Sequence, residues 1–87
     1  MNAETLEILR IYDSLPADEK HALNTVVVGL ATLQEPKRGM LRQFMEWANN
    51  YAAEHGPHFA HDALMLMAQA VDGNKTAWGV IDATLCE

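Results

Sequence analysis

Four breaks cut this sequence into short stretches, at Ser14-Leu15-Pro16, Glu35-Pro36, Gly56-Pro57 and Asp72-Gly73-Asn74. A residue preceding proline is pushed out of the α region, and glycine beside aspartate or asparagine favours a turn. The chain must therefore change direction at each break. Each of the five stretches then has to bury its apolar side against the others, and the period of that side decides what it is.

In the second stretch Pro16 suits a first helical position and Asp18 and Glu19 favour a helix N-terminus. Beyond them Leu23, Val26, Val27, Leu30 and Leu33 recur at helical spacing. The run from Thr25 to Val28 is β-rich. A strand would scatter these apolar residues over two faces, however, whereas a helix gathers all but Val28 on one. The third stretch repeats the logic with Met40, Phe44, Trp47, Ala48 and Tyr51, and it stops at Gly56, a usual C-terminal cap, before a proline. The first, over residues 3–13, carries Leu6, Leu9 and Tyr12 on one side and Ile8 and Ile11 round the flank. The fifth, over 75–86, aligns Ala77, Trp78, Ile81 and Leu85, although Gly79 weakens a helix there by about 1 kcal/mol relative to alanine.

The fourth stretch, from Pro57 to Val71, is apolar almost all round, which predicts a helix in the middle of a bundle. Its one polar strip holds His58, Asp62 and Gln69, with His61 beside them and Met65 inside it, and this strip is expected to face solvent. With 87 residues, 49% of them apolar and 21% charged, the chain has the composition of one globular domain. The prediction is an all-α fold, a compact bundle of four to five short helices forming a single domain over residues 1–87. Cys86 is the only cysteine, so no disulfide can form within the chain.

Chemistry has one candidate, the histidines at the start of the fourth stretch. His58 and His61 stand three residues apart, and Asp62, His55 or the distant Cys86 would have to complete a zinc or nickel site. No Cys-x-x-Cys or His-Glu-x-x-His pattern accompanies them, and histidines facing solvent at a helix start need no ligand. The reading is therefore a polar strip without a metal, with pH sensing through a histidine as the lesser alternative. Neither a glycine-rich phosphate loop nor a Gly-x-Ser-x-Gly elbow is present, so no catalytic residue and no cofactor are assigned and the chain is read as no enzyme.

The formal net charge is −6, and residues 45–87 hold Lys75 as their one base against six acids, a distribution that disfavours nucleic acid and anionic membranes. With Glu4 and Glu7 in the first turn and no long apolar run, neither a signal peptide nor a membrane span is expected, and the chain is read as cytoplasmic. The basic residues Lys37, Arg38 and Arg42 gather at the start of the third stretch, with Asn49 further along. They give the alternative reading, a helix-turn-helix-like regulator that contacts nucleic acid through this helix. The leading expectation is a small acidic helical module, regulatory or inhibitory, that binds another protein, in the manner of the accessory proteins of phages and mobile elements. Ile8, Ile11, Val28 and Met65 fall off the main stripes of their helices and are the expected interface residues, with a homodimer as the expected assembly.

Overall fold

The computed structural model describes residues 13–86 and consists of four helices: α1 (Ala17–Thr32), α2 (Lys37–His55), α3 (Pro57–Val71) and α4 (Lys75–Leu85). No strand occurs among the described residues, and the helices surround one core, as the helical periods predict. Ile8 and Ile11 lie outside the described residues.

All four breaks fall where the sequence demands them. Leu15 bends, and Pro16, extended at φ −57° and ψ 155°, precedes α1 as its cap, so the helix begins one residue later than the proline rule suggests. The β-branched run is helical, and the threonine hydroxyls of α1 find partners inside the helix: Thr25 Oγ1 donates to the carbonyl of His21 at 3.0 Å, and Thr32 Oγ1 to that of Val28 at 2.8 Å. Gly56 sits at φ 115°, a conformation that costs a residue with a Cβ, and this lets α3 start at Pro57 directly after α2 ends. At the last break the Asn74 side chain accepts from Ala77 N at 3.0 Å and caps α4.

α3 is the centre of the bundle and packs against each of the other three helices, while α1 and α2 touch one another only sparsely. Of the eleven buried apolar residues six are alanines: Ala22, Ala48, Ala63, Ala68, Ala70 and Ala77. Small side chains allow helix axes to approach closely but each withdraws little apolar area from water, so cohesion falls on the few large buried groups, Leu41, Phe44, Met67, Ile81 and Val26. A close approach occurs at Gly29 of α1, where a Cβ would stand 2.6 Å from Cγ2 of Val71 on α3.

Three expectations about faces are corrected. Val27, assigned to the core stripe of α1, is 56% exposed, and its inward positions are taken by Ala22, Val26 and Gly29. The helix is rotated so that its smallest residues meet α3, which the approach at Gly29 requires. Tyr51, assigned to the core, is 38% exposed. Met65, assigned to the solvent strip, is half-buried and packs against the core, because α3 has neighbours on three sides.

Candidate interaction surface

Because α1 and α2 both lean on α3 and scarcely on each other, a cleft of about 240 Å³ remains between them. Leu23 and Val26 form its α1 wall, Met45, Ala48 and Asn49 its α2 wall, and Ala60, Ala63, Leu64 and Met67 of α3 its floor. Asn49 supplies the polar side chain of an otherwise apolar lining. A second, shallower hollow of about 310 Å³ continues past Ala60 and Leu64 and is lined as well by Pro57, Glu19 and His61.

That far end holds a short polar contact between two helices. His61 Nδ1 donates to Glu19 Oε1 at 2.6 Å, a charge-assisted bond across 42 residues of sequence that ties the first turn of α1 to the start of α3. The bond to Glu19 raises the His61 pKa above its usual 6.5, partial desolvation opposes it, and the negative charges of Glu19, Asp18 and Asp62 add to the rise. The polar strip read from the sequence holds His58 and Asp62 with His61 beside them; His58 and Asp62 are exposed, and His61 is the one bonded to Glu19. Glu19 had been read only as a favourable charge at a helix start, and no local spacing relates it to His61.

His58, His61 and Asp62 do not combine with one another, with His55 or with Cys86 into a metal site: among the described residues no three histidine, cysteine or acidic side chains converge. His55 lies instead on Tyr51, ring centroids 4.1 Å apart, with Nε2 3.8 Å from Glu54 Oε2. Tyr51 also meets Trp47 at 5.2 Å and Phe59 at 4.4 Å, so the aromatic residues of α2 continue from the core outward as a ladder along one edge.

The basic residues are divided between two surroundings. Lys37 Nζ stands 5.5 Å over the Trp78 ring, and Arg38 Nε lies 3.5 Å from Glu35 Oε1. Arg42 and Asn49 are exposed, Asn49 at the lip of the cleft. Two of the four side chains of the nucleic-acid reading thus have intramolecular partners. Val28 is 56% exposed and borders a shallow depression with Thr25, Thr32 and Val71. No helix among the described residues is long and apolar enough to cross a membrane. No protein-family model, curated protein or solved structure matches this chain.

Proposed function

We propose that the chain is a non-enzymatic protein-interaction module and that the cleft between α1 and α2 receives apolar side chains of a partner protein. The observation that carries this reading is the shape of the cleft: two helices flank a third without closing over it, and leave Leu23, Met45 and Leu64 with an open side. A volume of about 240 Å³ is small for a cofactor but suits two or three side chains from one face of a partner helix, the groove mode of peptide recognition. The acidity of the chain favours a partner with basic flanks.

Capture from the source cell tests it. Ala60 is exposed yet lines the cleft, so Ala60→Phe fills the groove without burying a charge. A protein held by the wild type and by Val80→Arg, on an exposed position outside the cleft, should be lost from Ala60→Phe. Equal capture by all three, or capture of nothing, would overturn the reading.

A second copy of the chain is a further partner under the same proposal, supported by Val27 and Val28, each 56% exposed on the outer side of α1. Covering one such side chain contributes about 1.5 to 3 kcal/mol. Sedimentation at micromolar concentration should give the mass of two chains, and Val28→Glu the mass of one. A one-chain mass for the wild type would remove self-association and leave the cleft as it stands.

A further inference from the structure

We propose that the Glu19–His61 contact is a proton-controlled latch that closes one end of the cleft and releases it when His61 loses its proton. This inference rests on the interaction reading above and concerns the regulation of that same groove.

The geometry carries it. The 2.6 Å contact bridges the start of α1 to the start of α3, and the hollow directly behind it is lined by Ala60 and Leu64, which also floor the cleft. Leu23, on the α1 wall, follows Glu19 by one helical turn on the same side, so any movement of Glu19 away from His61 carries Leu23 with it. No side chain caps the N-terminus of α1.

The charges facing His61 share one sign. Glu19 and Asp18 face it from α1, and Asp62 lies beside it on α3; no charged group of α2 or α4 acts on it among the described residues. Proton loss leaves a neutral imidazole that can still donate to Glu19 but without charge assistance, which weakens the bond. The sign follows from linkage. The pKa is raised in the closed form, so the latch is at full strength below about 6.5, the value of a free histidine, and fades as pH rises through the raised value. Each unit by which His61 titrates above that reference multiplies opening about tenfold between the two limits.

The test uses the isolated chain at pH 5.5 and pH 8, with amide exchange of residues 20–24 corrected for its intrinsic pH dependence and Nile red as a neutral probe of the cleft. Wild type should lose protection and gain dye fluorescence at pH 8, with the fold-change matching the His61 pKa read by NMR. His61→Lys keeps a cation opposite Glu19 at both pH values and should stay protected at both, whereas Glu19→Gln should be weakly protected at both. A His61 that titrates at or below 6.5, or identical pH profiles for wild type and His61→Lys, would overturn the latch. Neither readout involves a partner, so loss of the latch leaves partner capture untouched, and failed capture leaves the latch standing.

Discussion

Phe44→Ala is expected to cost about 3 to 5 kcal/mol and to leave the chain largely unfolded at room temperature. Phe44 is 2% exposed and touches Trp47 at a centroid distance of 5.6 Å, in a core where alanines outnumber every other residue type. With so few large groups, neighbouring side chains cannot collapse into the space a missing ring leaves, which puts the cost at the upper end for such truncations. Trp47→Ala should cost clearly less, because Trp47 is half-buried on the outer ladder and part of its ring already meets water. Urea unfolding followed by far-UV circular dichroism measures both. Equal losses for the two variants would mean that the ladder belongs to the core.

The second large effect concerns two helical glycines with opposite expected signs. At Gly29 a Cβ would meet Val71 Cγ2 at 2.6 Å, Cγ1 at 2.9 Å and Cβ at 3.3 Å. Valine is stiff at χ1 and cannot swing clear, so α1 and α3 would have to part, and Gly29→Val should cost about 1 to 3 kcal/mol or more. At Gly79 nothing lies within 4 Å of the added atom, and the site is exposed inside α4. Gly79→Ala should therefore gain about 0.5 to 1 kcal/mol from helix propensity alone. The melting temperatures of the two variants should move apart from that of the wild type, and a stabilised Gly29→Val would contradict the close seam between α1 and α3.

The same seam explains what could and could not be read from the residues in order. The breaks were legible because proline and glycine act locally, and the central position of α3 was legible because a helix apolar on all sides has to be surrounded. The rotation of α1 was not. Counting bulky apolar residues puts Val27 on one stripe with Leu23, Val26, Leu30 and Leu33, yet beside Val26 the inward direction is set by Ala22 and Gly29, whose value lies in their smallness and leaves almost no hydropathy signal. Met65 was misassigned for a related reason: a periodicity gives the faces of one helix but not how many neighbours it has. Of the candidate site, the histidine cluster was visible as a cluster, while the partner of His61 was not, since a contact between residues 42 apart depends on how two helices are set against each other.

The sparse contact between α1 and α2 also bears on how the domain comes apart. α1 is held to the rest mainly through α3, whereas α4 divides its packing evenly between α2 and α3. Loss of α3 removes the surface on which α1, α2 and α4 all depend, and unfolding should be all-or-none at that helix but graded at the periphery. A partner seated in the cleft would span α1, α2 and α3 together and strengthen the sparse link between α1 and α2. Binding would then raise the resistance of α1 to local opening more than that of α3, which is already the last to yield.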